Sequence, residues 1–218
     1  MSSGASPIRQ QGPVVFGATR LVWLKPGVLL GALVPLAYLA RRFQTGALGA
    51  DPVAAALNEL GLIALVFLSA TLACTPLKAL LGWTWPMRIR RMLGLFAFSY
   101  ASLHFLLYAV VDQGLSFSAI LADVSERPFI TVGFAALLLL IPLAITSTTK
   151  MRRRIGPVRW QRLHRLVYVI GLLAVLHFFL RVKRDVDEPL TYACIIAGLF
   201  GVRLWQAAQK RASERVKS

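Results

Sequence analysis

The sequence predicts an all-α membrane protein, a polytopic bundle of about six transmembrane helices. Three observations predict it. The chain of 218 residues is 57% hydrophobic, with a mean hydropathy of +0.65, and a soluble domain of this length is usually less apolar. The apolar residues gather into six stretches, each near the about 20 residues a helix needs to cross a hydrocarbon core. The formal net charge of +16 is carried in short runs between those stretches. Membrane insertion produces that pattern, whereas nucleic-acid binding puts its charge on a polar folded surface. Nucleic acid is therefore not an expected partner.

The six stretches run approximately over residues 24–41, 59–80, 93–111, 130–148, 164–182 and 190–207. The first holds Pro26 near its start and Pro35 in its interior, and the fourth holds Pro142. A proline is tolerated in a membrane helix where neighbours satisfy the carbonyl it frees. None of the six alternates with period two, which argues against a barrel. Met1–Gly17 is polar, and no convincing cleavage site follows the first apolar run, so no cleavable signal is expected. The expected organisation is an N-terminal segment 1–23, a transmembrane domain 24–207 and a tail 208–218, with no soluble domain and no evident internal repeat.

The connecting segments set the orientation. In a six-helix arrangement, 19 of the 25 Lys and Arg fall on one side, and eight of the nine Asp and Glu fall on the other. Only Glu214 joins the basic side. The positive-inside rule then places both termini in the cytoplasm. The run Lys150–Arg154 could hold an anionic lipid or a cofactor phosphate, or it could serve only to set topology. Cys74 and Cys194 sit in apolar segments in opposite leaflets, so a disulfide between them is not expected. Neither CxxC nor CxxCH occurs, which leaves thioredoxin-like chemistry and covalent c-type haem without support.

Function must then rest on polar groups inside the bundle. The notable ones are His104, His164 and His177, the only histidines in the chain. His104 lies eleven residues into the third stretch, about 16 Å at 1.5 Å per residue, and His177 thirteen residues into the fifth, about 20 Å. Two imidazoles at similar depth on different helices could clamp one haem iron from both sides, with the macrocycle in an apolar slot. A proton relay, an interhelical hydrogen bond or a metal site are the alternatives. No carboxylate or thiolate stands beside these histidines to complete a metal shell, which makes a bare metal site the weaker of these.

His164 is different. Thirteen residues on a straight helix advance about 220° beyond three full turns, so His164 and His177 do not share one ideal face. His164 could ligate a second haem near the basic side or be an interfacial residue in a basic loop. Arg181, one turn after His177, could meet haem propionates at the outer face, and Arg91 and Arg165 could do so at the inner face. Snorkelling to the headgroups is the plain alternative for each. Phe105, Tyr108, Tyr168, Phe178 and Phe179 are candidates for lining the slot, or for ordinary bundle packing.

Several stretches carry a family resemblance. They are Arg90-Arg91-Met92-Leu93-Gly94-Leu95 through His104, Arg127-Pro128-Phe129-Ile130-Thr131-Val132-Gly133, Trp160-Gln161-Arg162-Leu163-His164-Arg165-Leu166-Val167-Tyr168, and His177-Phe178 with Asp185 and Glu188-Pro189. Their order and spacing resemble the MsrQ (YedZ) family of the ferric-reductase-like transmembrane group, over roughly residues 20–205. The resemblance implies a bacterial inner-membrane subunit with one or two b-type haems and an associated FMN. It implies electrons taken from the quinone pool or a cytosolic flavin reductase. They would pass to a periplasmic molybdenum-cofactor methionine sulfoxide reductase, the partner in a heterodimer that repairs oxidised envelope proteins. The family's haem-associated histidines fall on His104, His164 and His177.

The sequence adds that no GxGxxG follows a strand, so electrons are expected from a quinol or another protein rather than directly from a nicotinamide cofactor. The competing readings are a stand-alone quinol-linked cytochrome b or metal reductase, a cofactor-free small transporter, and a scaffold whose basic face recruits lipid or partners.

Overall fold

A computed structural model describes residues 22–182 and 184–216. Among these residues the secondary structure is helical, in the order α1 (Leu24–Gln44), α2 (Pro52–Leu81), α3 (Pro86–Leu107), α4 (Phe117–Glu126), α5 (Pro128–Ile145), α6 (Thr149–Ile155), α7 (Pro157–His164), α8 (Leu166–Arg181) and α9 (Asp187–Val216). A π-helical turn over Tyr108–Asp112 prolongs α3. Six segments are long and apolar enough to cross a bilayer: Leu24–Gln44, Pro52–Leu81, Pro86–Asp112, Pro128–Ile145, Pro157–Arg181 and Asp187–Ser213. The expected six-helix bundle is therefore what the chain forms.

The ends of helices α2 and α9 differ from the expected ones. Helix α2 begins at Pro52 rather than 59, because the Asp51 carboxylate accepts from the Ala54 amide and Pro52 occupies the first turn. Glu59 therefore lies two turns inside a helix, where it pairs with Arg42 of α1. Helix α9 continues past residue 207 to Val216, so the tail expected from 208 is largely helical. Glu, Gln, Lys and Arg are good helix formers, so a backbone helix runs on where hydropathy stops. The residues 1–21 of the expected N-terminal segment lie outside the described ones.

The long connection between α3 and α5 contains α4, whose ten residues span about 15 Å and are too short to cross a membrane. Asp123 of α4 ties this connection down. Its carboxylate accepts from Tyr108 Oη at 2.9 Å, Gln113 Nε2 at 3.1 Å and Arg127 Nη1 at 3.3 Å. The fifth crossing is made of two helices. Gly156, at φ +84°, turns the chain out of α6, and α7 then meets α8 at Arg165.

The centre of the bundle is α2, α3, α5 and α8. Leu65, Leu68 and Leu72 of α2 pack with Ala97 of α3, Leu140 and Leu143 of α5, and Val167 and Ile170 of α8. Ile196 brings α9 onto this core. Helix α1 lies outside, packed by Leu39 against Ala56, Leu60 and Tyr100, and the Tyr100 hydroxyl donates to the Ala32 carbonyl at 2.5 Å. The outer surface is apolar: Leu30, Val34, Leu106, Leu138, Leu172 and Leu176 are exposed. Such a surface suits lipid rather than water.

One polar contact inside the bundle follows from a proline. Pro76 stands within α2 and has no N–H to give the Leu72 carbonyl four residues before it. Arg203 of α9 supplies the missing donor, with Nη2 2.5 Å from that oxygen and Nη1 3.0 Å from the Tyr168 hydroxyl. Arg203→Met is expected to lower stability by about 1–3 kcal/mol, the usual cost of leaving a buried acceptor unsatisfied. Thermal unfolding in detergent checks it. Adding Pro76→Ala, which restores the helix's own N–H, should recover much of the loss.

Candidate functional site

Glycine inside a helix costs roughly 0.5–1 kcal/mol relative to alanine, so one kept in an apolar helix needs a reason. Gly133 of α5 has one. A Cβ built there would lie 2.6 Å from Nδ1 and 2.8 Å from Cε1 of His177. The bare backbone lets the imidazole of α8 press against α5, where its Nδ1 sits 2.6 Å from the Phe129 carbonyl oxygen. The same device occurs on the other side. A Cβ at Gly61 of α2 would lie 3.3 Å from Cε1 and Nδ1 of His104, whose Nδ1 is 2.8 Å from the Leu57 oxygen. In each case the glycine stands four residues after the carbonyl, one turn along the same face.

A carbonyl oxygen only accepts, so both Nδ1 atoms carry the proton and donate it. The lone pair of each ring is therefore on Nε2, the tautomer a metal-binding histidine needs when its other nitrogen is held by a backbone carbonyl. The two rings come together in the bundle. Their centroids are 6.1 Å apart and their planes nearly perpendicular, at 86°. Two imidazoles bound to one metal at about 2.0–2.1 Å each would have their centroids roughly 6 Å apart. The observed separation fits that arrangement.

The rings open onto a cavity of about 850 Å³, which lies within the 300–1,000 Å³ typical of cofactor sites. Its deep wall is apolar, with Leu65, Leu68, Leu140 and Ile170. Ala97, Ala101, Ala136 and Ala174 keep it open by being small. Arg127, Arg181 and Arg184 join the wall from the acidic-side ends of their elements, with Asp112, Asp185 and Glu188 around them. The site is thus an apolar slot with two neighbouring imidazoles, each with its Nε2 lone pair free, and a cationic rim, suited to a flat apolar group bearing carboxylates. Among the described residues no cluster of three or more His, Cys, Asp or Glu is placed to hold a bare metal ion.

Of the residues singled out in the sequence, the fold brings His104, His177 and Arg181 to this cavity and leaves three elsewhere. His164 stacks on Trp160 with centroids 3.9 Å apart, and its Nε2 lies 3.1 Å from Thr146 Oγ1. That hydroxyl donates to the Pro142 carbonyl at 2.6 Å, so it accepts from His164 Nε2–H, and Nδ1 keeps the lone pair. Arg91 donates to Thr149 Oγ1 at 3.3 Å, and Arg165 marks the junction of α7 and α8. Phe105, Tyr108 and Phe178 line the cavity, whereas Tyr168 bonds Arg203 and Phe179 is not part of the wall. The sequence assigned no role at the site to Gly61, Gly133, Arg127 or Arg184, although Arg127 and Gly133 stand in a stretch that carries the family resemblance. Glycines within apolar helices, and arginines on the side where basic residues are scarce, were the available signals.

Comparison with known proteins agrees with this architecture. Residues 60–175 match the family described as ferric reductase like transmembrane component. That stretch holds Gly61, His104, Gly133 and His164 and stops two residues before His177. A protein of Rhodospirillum rubrum named protein-methionine-sulfoxide reductase heme-binding subunit MsrQ is 51% identical, over 88% of this chain and 92% of its own. Proteins of the same name from Deinococcus radiodurans and Ralstonia nicotianae are 50% and 49% identical, over 84% and 82% of this chain and 90% and 83% of theirs.

The chain belongs to the MsrQ family. It is a multi-pass membrane protein with the six helices that the hydropathy predicted. No solved structure matches it. The MsrQ relatives are named for binding haem, and the paired imidazoles of α3 and α8 are the feature of this chain that such a group would fit.

Proposed function

We propose that this MsrQ-family chain is a b-type cytochrome subunit that holds a haem between His104 and His177 and conducts electrons across the inner membrane. The observation that carries the reading is the pair of imidazoles with centroids 6.1 Å apart in an apolar slot, each with its Nδ1–H bound to a backbone carbonyl. When bound, the haem supplies a one-electron iron centre whose potential is set by axial ligands, burial and hydrogen bonding. Nε2 of His104 and Nε2 of His177 would hold the haem iron. Arg127, Arg181 and Arg184 neutralise carboxylates at the rim. The apolar wall keeps water from the ligand nitrogens.

The relatives' name supports a place beside a methionine sulfoxide reductase; the donor, the molybdenum cofactor and the heterodimer are what the resemblance implies, and the direction of flow follows the charge asymmetry. Electrons enter on the basic, cytoplasmic side, where both termini lie, from a quinol or a cytosolic flavin reductase. They leave on the acidic, periplasmic side to a molybdenum-cofactor methionine sulfoxide reductase, with which the chain forms a heterodimer. Reducing a sulfoxide to a thioether takes two electrons and two protons and releases water, so this conduit delivers electrons one after another to repair oxidised proteins. In this scheme residues 24–207 form the haem-binding domain, and the ends beyond them face the cytoplasm.

A dithionite-reduced minus oxidised absorbance spectrum of the detergent-purified protein, with pyridine haemochrome quantitation, tests the proposal. A b-type signal is expected. A protein that stays colourless after expression with ample haem sinks it. Were two haems per chain found, His164, whose Nδ1 lone pair is available, is the remaining histidine to serve the second, alongside another ligand type, a shared ligand or an open site. FMN is the second group the resemblance implies, and the flavin-to-protein ratio of the same preparation decides it.

A further inference from the structure

The contact of Arg203 with α2 leaves a second feature beside it. Thr75 Oγ1, Gln206 Nε2 and Arg203 Nε are buried with no hydrogen-bond partner. Helices α2 and α9 both run from the acidic to the basic side, so they are parallel where Arg203 meets Leu72. Thr75 and Gln206 each stand three residues further along, one turn nearer the basic side, and so share a level. Each orphan group can donate a hydrogen bond, and two of the three can do nothing else. Such a set calls for an acceptor oxygen.

The charge around it calls for an anion. The Arg90 guanidinium of α3 is within electrostatic range of Arg203, Cys74 and Tyr168. Neither Arg90 nor Arg203 is paired with a carboxylate among the described residues. The only acidic residue in the sequence on this side is Glu214, eleven residues beyond Arg203. Two neighbouring guanidinium groups half-sunk in an apolar bundle without counter-charge are costly unless something negative joins them. Lys78 of α2, about one turn beyond Thr75, marks the approach to headgroup level.

We propose that the seam between the basic-side ends of α2 and α9, flanked by Arg90 of α3 and Tyr168 of α8, binds a phosphate oxyanion, that of an acidic phospholipid headgroup. Arg90 and Arg203 supply the charge, and Thr75, Gln206 and Arg203 Nε supply hydrogen bonds to its oxygens. Basic pockets between transmembrane helices on the cytoplasmic side are suited to such headgroups. The site is separate from the histidine pair and does not depend on the haem assignment.

The test uses full-length protein in dodecyl maltoside, followed by circular dichroism on heating. Phosphatidylglycerol, phosphatidylcholine or inorganic phosphate is added. Phosphatidylglycerol is expected to raise Tm by about 2–4 °C over phosphatidylcholine, through preferential binding to the folded state. Arg90→Gln should abolish the rise and Thr75→Val reduce it, while Arg88→Gln, an exposed arginine on the same helix, keeps it. Arg203 itself is a poor probe, since it also satisfies the Leu72 carbonyl. An equal, Arg90-dependent rise with inorganic phosphate would assign the same site to a soluble phosphate ester. Arg90→Gln responding to phosphatidylglycerol as Arg88→Gln does would overturn the proposal.

Discussion

His177→Ala is expected to remove the reduced-minus-oxidised haem signal, and His104→Ala to do the same. Each imidazole occupies one side of the slot, and nothing else at the rings' level in the cavity wall offers a nitrogen or sulfur ligand to replace it. His164→Ala is expected to leave this signal largely intact, because His164 is engaged with Trp160 and Thr146 outside the cavity. Low-spin spectra of purified variants at equal protein concentration check all three. A normal low-spin signal in either of the first two would show that the pair is not the axial set. If His164→Ala also lost half of the haem, a second centre on the basic side would be indicated.

The second large effect belongs to Gly133. In Gly133→Ala the new methyl would stand 2.6 Å from His177 Nδ1, too close for any real contact, and it would meet the ring itself rather than a flexible tip. The imidazole must swing away, losing its bond to the Phe129 carbonyl and with it the fixed tautomer and aim of Nε2. Loss of an outer-shell partner typically weakens metal binding 10–100-fold, and that is the expected order of the loss in haem affinity. Gly61→Ala places its methyl at 3.3 Å from His104, so a small shift of the ring accommodates it and the expected effect is milder. Alanine favours a helix over glycine by roughly 0.5–1 kcal/mol. A Gly133→Ala protein that is as stable as wild type in its apo form yet poor in haem would therefore identify the ring contact as the cause. Haem titration of apoprotein measures it, and wild-type affinity in Gly133→Ala would refute the steric argument.

These cases show what can be read from sequence. Depth along a helix follows from a fixed rise per residue, so the proximity of His104 and His177 was legible before any coordinates. The separation of His164 from that pair was partly legible, since its angular offset from His177 follows from the helical repeat. What held the rings was not legible. Leu57 and Phe129 act through their carbonyls, which every residue possesses, so their identity carries no sign of the role. Gly61 and Gly133 gave a sign, but only the packing of α2 on α3 and α5 on α8 shows which side chain each admits. The role of Arg203 was hidden likewise, for Pro76 and Leu72 gain meaning only once α9 lies against α2. Hydropathy also started α2 seven residues late and ended α9 too early, because polar and charged residues bound an apolar window without bounding a helix.

The two glycine–carbonyl devices have a further consequence. Leu57, Gly61 and His104 lie on one antiparallel hairpin, α2–α3, and Phe129, Gly133 and His177 lie on another, α5–α8. The chain separation from carbonyl to imidazole is nearly the same, 47 residues in the first and 48 in the second. The halves echo one another in spacing, although no repeat is visible in their letters. Each hairpin contributes one imidazole, so neither contains a complete site. During synthesis the first hairpin enters the membrane with a single ligand exposed along its flank. Only when α8 has followed does the second arrive, so in the proposed cytochrome the haem would be loaded late in biogenesis, once the fifth crossing is inserted.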